Sequence, residues 1–518
     1  MAMTFFEKSN DPNIKILFLG TNDSSTDQHV TALAKEHATA NHGLITCSTT
    51  VPGQPGYYHT TVVDLPWGEL IELATRFDSI VMLDQPQSQW SHWKCFQATF
   101  KLMVKLEKLD KHTVFRDNTN VKEILYWSDL VYDKNKSFCI YPWVNFFNNG
   151  KELKLCSRDQ GTVTTTDKFH NWNTDTNFTE IRNKMLQGEK LPDHCGACYE
   201  YEDNGIESYR QFETMDWVTR LNLKNVDDLD QLDRPYFYEM HIGNHCNIKC
   251  RGCQPAYSAP IGQELKKFNI VPPKELVWTS GAASIDQIDI DSLDKKSSVY
   301  FQGGEPTIMP EVKEFMQRCL AKNKTDFFLT MCTNGVKLST EFLQLISNFP
   351  NTNFSISLDG YSKINDYWRS GTDWNKVIQN VRLLQSQGHS ISINTVPGIY
   401  NVTNLHLLFE FLDQEFPLTA MYLQVNNLPW QSALNHPLKD LVIESMQKCM
   451  QTSIYNSNGK SCKTAIDSIY NHYVNDPVCD VDSLKDFFAY NDQLDRARGT
   501  RLIDFIPELE AARKYISV

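Results

Sequence analysis

The sequence predicts an α/β protein whose main part is an open, partial (β/α)6 TIM-like barrel. Between residues 235 and 430, six β-rich runs alternate with amphipathic helical runs. In order, they are "YFYEMHIG", "SSVYFQGG", "DFFLTMCT", "NFSISLDG", "SISINTVP" and "AMYLQVNN". Alternation of this kind predicts parallel strands joined by helical crossovers. Glycines and polar residues follow these strands, and in such a barrel the reactive loops lie at the carboxyl ends of the strands.

The chain outside the barrel divides into three further segments. Residues 1–133 alternate strand and helix patterns at the spacing of a small α/β domain with a partly parallel sheet. Residues 134–215 are rich in aromatic residues, loops and cysteines, and residues 431–518 are mostly helical in pattern. We therefore predict four domains, with the barrel at residues 235–430 and a first domain whose role no motif indicates.

Composition and charge exclude several classes of protein. The formal net charge of −13 over 518 residues argues against bulk binding to nucleic acid or to anionic membranes. No apolar stretch approaches the ~18 residues of a membrane span, and the amino terminus lacks the pattern of a signal peptide. Fourteen cysteines without an export signal indicate metal or redox use in a reducing compartment. We therefore expect a cytoplasmic protein.

Three cysteines lie close together after the first barrel strand, in "HIGNHCNIKCRGCQP". Cys246, Cys250 and Cys253 can hold three irons of a [4Fe–4S] cluster and leave the fourth iron open to a small molecule. The alternative is a zinc site that borrows a fourth ligand such as His241 or His245. Spacing alone leaves both kinds of site open.

The ends of the other strands carry residues suited to bind a small polar molecule. Glycines let the backbone approach a ligand closely, carboxylates accept charge-assisted hydrogen bonds, and a guanidinium matches a carboxylate. The residues are Gly303, Gly304 and Glu305 in "FQGGEP", Asn334 in "TNG", Ser357 and Asp359 in "SISLDG", Arg369 in "INDYWRSGTDW", Asn394 in "SINTVPG", and Gln424 with Val425 in "YLQVNN".

The C-x3-C-x2-C spacing and these strand-end motifs, in this order, resemble the radical S-adenosylmethionine (radical SAM) enzymes. The resemblance implies that the open iron of a [4Fe–4S] cluster chelates SAM, which is cleaved to a 5′-deoxyadenosyl radical that abstracts a hydrogen atom. It also implies that "GGE" contacts the SAM amino group, Asn334 makes a polar SAM contact, and Ser357 and Asp359 contact its ribose or carboxylate. Arg369 then contacts the carboxylate, and Asn394 contacts the ribose.

The resemblance further implies that backbone near Gln424 and Val425 meets the adenine. One position departs from the family pattern. Gly252 stands where the family usually has an aromatic residue near the adenine.

Four cysteines upstream of the barrel form the pattern C-x16-C-x38-C-x2-C: Cys139, Cys156, Cys195 and Cys198. Four thiols suit either zinc or an iron–sulfur cluster. The surrounding "CIYPW" and "CYEYEDNGIESYR" resemble a twitch domain, which is a shortened SPASM domain. The resemblance implies one auxiliary Fe–S cluster, of the [4Fe–4S] type. Two features depart from the family, since the segment precedes the barrel and Gly150 stands one residue further from its cysteine.

The predicted function is hydrogen abstraction by a radical SAM oxidoreductase. The resemblance implies a peptide or protein substrate and an electron donor such as flavodoxin or ferredoxin, with a carbohydrate or nucleotide-linked small molecule as the alternative substrate. A non-catalytic, zinc-stabilised binding protein is the alternative from another class. No catalytic acid or base is indicated. Cys332 is predicted to be a packed strand thiol, with hydrogen-atom donation as the alternative. Packing is also predicted for Cys47, Cys95, Cys319, Cys449, Cys462 and Cys479.

Overall fold

The computed structural model of the chain separates into two compact units. The first comprises Met1–Ile140, Lys184–Lys190 and Glu207–Leu232, and the second comprises Tyr141–Asn183, Leu191–Ile206 and Asp233–Val518. The residues that the structure describes are 15–20, 41–46, 57–61, 79–83, 112–115, 121–132, 137–168, 171–203, 208–273, 276–278, 281–417, 419–423, 428–457, 459–475 and 478–516. The four domain boundaries drawn from the sequence stay a prediction.

The first unit contains a five-stranded sheet with the order β3-β2-β1-β4-β5. Every neighbouring pair in it is parallel, whereas the sequence predicts a partly parallel sheet. Its strands are β1 (Lys15–Gly20), β2 (Asn41–Thr46), β3 (Tyr57–Thr61), β4 (Ser79–Leu83) and β5 (His112–Phe115). Cys47 and Cys95 lie outside the described residues.

Two helices of the first unit, Val121–Tyr132 and Tyr209–Leu221, pack together through buried side chains. The second begins at Ser208, whose side chain forms a capping box with Gln211. Arg210 is buried and donates to the backbone oxygens of Val131 and Phe138. These bonds hold the chain on the amino-terminal side of Cys139.

The second unit contains a nine-stranded sheet with the order β14-β13-β12-β11-β10-β9-β6-β7-β8. The barrel strands are β9 (Phe237–His241), β10 (Ser298–Gln302), β11 (Phe328–Thr333), β12 (Thr352–Ser357), β13 (Ser390–Thr395) and β14 (Ala420–Leu423). All five pairs between them are parallel and follow chain order. The predicted (β/α)6 arrangement is therefore confirmed.

Helices cover the outer face of these strands. On β11, Leu329 and Met331 are fully buried, whereas Thr330 and Cys332 between them are partly exposed, as expected for a strand with two different faces. The helices of this unit are Tyr141–Val144, Pro192–Asp203, Ala259–Lys267, Pro310–Ala321, Thr340–Ile346, Lys363–Trp368, Trp374–Ser386, Leu405–Glu415, Lys439–Met450, Ser453–Ser457, Gly459–Val474, Val481–Arg498 and Leu509–Arg513. The helix Thr176–Leu186 is divided between the two units. No helix in the described ranges is long and apolar enough to cross a membrane.

The barrel sheet continues into the cysteine-rich segment, which the sequence does not predict. Strand β6 (Asn145–Asn148) pairs in parallel with β9, and β7 (Glu152–Lys154) and β8 (Thr164–Thr165) extend the sheet by antiparallel pairing. These strands are only 4, 3 and 2 residues long, which is too short for a clear period-two pattern. Their place is set by pairing partners that are distant in sequence.

A buried carboxyl group lies at the junction between β6 and β9. Glu239 is 1% exposed, and its Oε2 accepts a hydrogen bond from Asn145 Nδ2 at 2.8 Å. Burial raises the pKa of Glu239 to about 7, against the hydrogen bonds from Asn145 and Ser157. The native state therefore holds a proton that the unfolded chain releases near its ordinary pKa of about 4.5.

We expect Glu239 to make the protein less stable as the pH rises from about 4.5 to about 7, because the native state binds more protons than the unfolded state across this range. Glu239→Gln should abolish this fall and stabilise the protein at pH 8 by up to about 3 kcal/mol. Urea unfolding of both proteins at pH 5 and pH 8 measures the difference. An equal pH dependence in the two proteins would contradict the expectation.

Candidate active site

The loop that carries Cys246, Cys250 and Cys253 follows β9 and is held by two neighbouring loops. The loop after β10 donates from Glu305 N to His245 O at 2.8 Å and from Gly304 N to Tyr257 O at 3.1 Å. On the other side, the cysteine loop donates from Lys249 N to Ser370 O and from Arg251 N to Trp368 O, both at 2.8 Å. Backbone hydrogen bonds thus fix the loop at both flanks.

The three thiols are partly buried. Burial raises the pKa of Cys250 to about 12, and it also raises the pKa of Cys246 and Cys253 above the ordinary thiol value. A metal bound by these thiols would displace their protons, which is how metal binding is coupled to proton release. Within the described ranges, no group of three or more His, Cys, Asp or Glu side chains was found that could hold a metal ion.

Two nitrogen donors point at the sulfur atoms. Arg369 Nη1 lies 3.9 Å from Cys250 Sγ, and Asn334 Nδ2 lies 3.9 Å from Cys246 Sγ. Arg369 Nη2 also makes a 2.7 Å ion pair with Asp359 Oδ2, and both side chains are largely buried. Donors to cluster sulfurs tune the reduction potential of a cluster, so Arg369 and Asn334 would have this effect on a cluster held by the three cysteines.

Glu305 holds the loops after β10 and β11 together. Its side chain is fully buried, and Oε1 accepts from Thr307 Oγ1 at 2.7 Å and from Thr333 Oγ1 at 2.6 Å. Its Oε2 accepts from the backbone N of Asn334 at 2.7 Å. Burial raises the pKa of Glu305, and these hydrogen bonds oppose the rise. The sequence predicts Glu305 as an acceptor for SAM, and this bridging role is an addition to that prediction.

Gly303 and Gly304 lie where no side chain fits. Both have positive φ, at +84° and +51°, which favours glycine. A Cβ at Gly303 would lie 2.4 Å from the ring of His241, and one at Gly304 would lie 2.3 Å from His245 O. The two glycines therefore let the loop after β10 pass directly against β9 and the cysteine loop.

The unusual residue Gly252 has a packing explanation. A Cβ at this position would lie 2.8 Å from Trp368 Nε1 and 3.0 Å from Gln431 Oε1. Trp368 is 2% exposed and packs against Tyr400 with ring centroids 4.6 Å apart. The indole of Trp368 therefore occupies the space in which a side chain at position 252 would begin.

Two buried polar atoms lack a hydrogen-bond partner among the described residues, one on β13 and one just after the helix Lys363–Trp368. Asn394 pairs in register with Ser357 across β12 and β13. Within the described part of the chain, Asn394 Oδ1 and Arg369 Nε are buried and have no hydrogen-bond partner. Buried polar groups are nearly always satisfied, so a ligand with hydroxyl and carboxylate groups fits them, as SAM does. Gln424 and Val425 lie outside the described residues.

The sequence does not identify Arg251 as a functional residue, although it stands between two of the cysteines. The guanidinium is fully buried and stacks over the ring of Tyr367 at 3.6 Å. It donates to Asn491 Oδ1 at 3.0 Å and to Asp495 Oδ1 at 2.6 Å. The helix Val481–Arg498 is thereby fastened to the cysteine loop.

Arg498 makes a second connection from the same helix. It donates to Lys249 O at 3.0 Å and to Ser370 Oγ at 2.7 Å, and it pairs with Glu264 at 2.5 Å. A buried arginine needs a counter-charge, but the burial of Arg251 is seen only in the structure. The partner lies 244 residues away from Arg251, and no local pattern identifies it.

The upstream cysteines fall in both units. Cys139 belongs to the first unit, whereas Cys156, Cys195 and Cys198 belong to the second. Cys195 and Cys198 lie one turn apart on the helix Pro192–Asp203, and Cys156 lies in the loop after β7. Ligation by these four residues stays a prediction.

The remaining cysteines fit their predicted packing roles where the structure describes them. Cys319, Cys449 and Cys462 are completely buried. Cys479 is partly buried, and its Sγ lies 3.4 Å from Asn435 Oδ1. Cys332 lies on β11 with its Sγ 3.8 Å from Ser357 Oγ, and burial raises its pKa.

The second unit thus contains a partial (β/α) barrel with a three-cysteine loop after its first strand. Residues 240–412 match the sequence model of the radical SAM superfamily. This part of the chain is therefore a radical SAM domain. No curated protein sequence matches the chain.

Several solved structures resemble parts of the chain. A polyhistidine-tagged anSMEcpe with bound AdoMet is 16% identical with a TM-score of 0.32, and the match covers 43% of this chain and 60% of that protein. Streptococcus suis SuiB bound to S-adenosylmethionine is 17% identical with a TM-score of 0.28, covering 48% and 52%. TYW1 with a lysine-pyruvate adduct is 16% identical with a TM-score of 0.26, covering 52% and 81%. The chain thus spans about 60% of the length of the first of these proteins.

We expect Arg251→Met to destabilise the protein by about 3 kcal/mol or more, because it leaves the buried Asp495 without its cation. The same variant should bind less iron, since the cysteine loop loses its anchor. Arg496→Met is the matched control, because Arg496 is exposed on the same helix. Urea unfolding and iron analysis measure both effects, and equal values for the two variants would contradict this role of Arg251.

Gly252→Ala should cost about 1–3 kcal/mol, because the new methyl group overlaps Trp368 and Gln431. Replacing Trp368 by Phe removes the closest atom, so the double variant Gly252→Ala/Trp368→Phe should lose less than the sum of the single variants. Unfolding free energies in a double-mutant cycle measure the coupling. If the unfolding free-energy changes of the two single variants simply add in the double variant, Trp368 is not the reason why position 252 is a glycine.

Proposed function

We propose that this chain is a radical SAM enzyme in which Cys246, Cys250 and Cys253 hold a [4Fe–4S] cluster. The observation that carries the proposal is a loop of three partly buried thiols, fixed at both flanks, with Arg369 and Asn334 directed at two of the sulfurs. When bound, the cluster and SAM supply a 5′-deoxyadenosyl radical that abstracts a hydrogen atom from the substrate. The protein binds and orients these groups and excludes water.

The proposed SAM contacts come from the strand ends. Arg369 and Asn394 contribute the buried atoms Nε and Oδ1, which suit the carboxylate and the ribose of SAM. Asp359 keeps Arg369 in place through their ion pair and remains a candidate ribose contact. Gly303 and Gly304 bring backbone close to the amino group. The remaining assigned contacts are Glu305, Asn334, Ser357 and the backbone at Gln424 and Val425.

An auxiliary Fe–S cluster, held by Cys139, Cys156, Cys195 and Cys198, is the second part of the proposal. It rests on their spacing and on the resemblance of this segment to a twitch domain. Four cysteine ligands leave no open iron for a substrate, so the role that follows is electron transfer. The donor that reduces the enzyme is a small redox protein of the flavodoxin or ferredoxin kind.

The proposed substrate is a peptide or protein, because twitch and SPASM segments frequently accompany peptide-modifying members of the family. A carbohydrate or a nucleotide-linked small molecule is the alternative substrate. The first 133 residues would then recognise the substrate or a partner that carries it. Incubation of the reduced enzyme with an extract of native peptides, followed by mass spectrometry, distinguishes the two classes.

Anaerobically purified protein should contain about eight irons per chain and absorb near the wavelengths typical of [4Fe–4S] clusters. Reduction in the presence of SAM should release 5′-deoxyadenosine. The triple variant Cys246→Ala/Cys250→Ala/Cys253→Ala should keep about four irons and release none of this product. Cys479→Ala is the control, since that cysteine has no assigned ligand role.

Stoichiometric zinc without iron, together with no 5′-deoxyadenosine, would overturn the whole proposal and favour the zinc-stabilised binding protein. An iron-free triple variant would overturn only the auxiliary cluster, and the proposal for Cys246, Cys250 and Cys253 would stand.

A further inference from the structure

A buried carboxylate joins the loop after Cys156 to the helix that carries Cys195. The side chain of Asp159 is 1% exposed, and its Oδ1 lies 2.9 Å from His194 Nδ1. Its Oδ1 also accepts from Gly161 N and its Oδ2 from Leu155 N, both at 2.8 Å. Because a carboxylate can only accept, these bonds assign the proton of His194 to Nδ1.

Backbone contacts hold the same two segments together. Gln160 N donates to His194 O at 3.4 Å, and Asp159 N donates to Cys156 O at 3.1 Å. A Cβ at Gly161 would lie 2.8 Å from the His194 ring, so this glycine is needed for the close approach. The loop and the helix start therefore meet at a defined distance.

The position of this contact relative to the cysteines is the central observation. Asp159 lies three residues after Cys156, and His194 immediately precedes Cys195. The Asp159–His194 pair thus connects the loop that carries Cys156 to the helix that carries Cys195. Residues that orient metal ligands from outside typically change metal affinity by about 10- to 100-fold when they are removed.

We propose that Asp159 and His194 are positioning residues that set Cys156 against Cys195 and Cys198 for the auxiliary cluster. The inference rests on the proposed auxiliary cluster. It predicts that loss of the pair loosens that cluster while the three-cysteine site after β9 keeps its own. The pair makes no proposed contact with the cluster and takes no part in the chemistry.

The test uses the full chain with Cys246, Cys250 and Cys253 replaced by Ala, so that any remaining iron reports on the auxiliary site alone. Into this parent we introduce Asp159→Ala, His194→Ala and His194→Asn. Iron and sulfide content, the electron paramagnetic resonance signal of the reduced cluster, and the rate of iron loss to a chelator are measured. Asp193→Asn is the matched control, because Asp193 is an exposed carboxylate beside His194.

The two alanine variants should lose iron at least about 10-fold faster than the parent. His194→Asn should stay close to the parent, because its amide can donate from nearly the position of Nδ1. Loss rates equal to the parent in both alanine variants would overturn the inference.

Two further variants separate this inference from the proposed auxiliary cluster. Cys156→Ala and Cys195→Ala in the same parent should lose the iron, and full retention in both would overturn the cluster itself. In the otherwise unaltered protein, Asp159→Ala should still release 5′-deoxyadenosine. Loss of this release would show a general structural role instead and would overturn the inference.

Discussion

The buried ion pair between Arg251 and Asp495 is the constraint on which the candidate site depends. Arg251 lies between the proposed cluster ligands Cys250 and Cys253 in sequence. A fully buried guanidinium is tolerated only where a counter-charge balances it and acceptors take its hydrogen bonds. Asp495 provides the counter-charge, and Asp495 and Asn491, both on the helix Val481–Arg498, accept hydrogen bonds from Arg251. The radical SAM domain at residues 240–412 therefore takes part of the support for its cysteine loop from beyond its own limits.

The site is also shaped by close packing, which explains its departure from the family pattern. Gly252 lacks a side chain because Trp368 fills the adjoining space, and Gly303 lacks one because the ring of His241 does. In each case a side chain distant in sequence occupies the space that a side chain at the glycine position would need. Interiors packed at this density let one large side chain exclude another, so a glycine can mark the place where a distant aromatic ring sits.

Local sequence patterns were sufficient to predict the barrel strands, because strand formation depends mainly on neighbouring residues. The β-rich runs from "YFYEMHIG" to "AMYLQVNN" coincide with β9 to β14, because parallel buried strands select apolar and β-branched residues along their own length. Asp359 and Arg369, which are ten residues apart in sequence, form an ion pair because the short helix Lys363–Trp368 after β12 brings the chain back. The bridging hydrogen bonds of Glu305 escaped prediction, since Thr333 and the backbone N of Asn334 lie at the end of β11 and no local pattern of Glu305 specifies these atoms.

By itself, the sequence determined the (β/α) alternation, the three-cysteine loop and the order of the strand-end motifs. Only the tertiary structure decided that β6 pairs with β9, that Asp495 anchors Arg251, and that Asp159 joins the loop after Cys156 to the helix of Cys195. The physical reason is the range of each effect. Periodicity and spacing are properties of neighbouring residues, whereas a buried charge or a short edge strand is satisfied by whichever partner the folded chain brings within hydrogen-bonding distance.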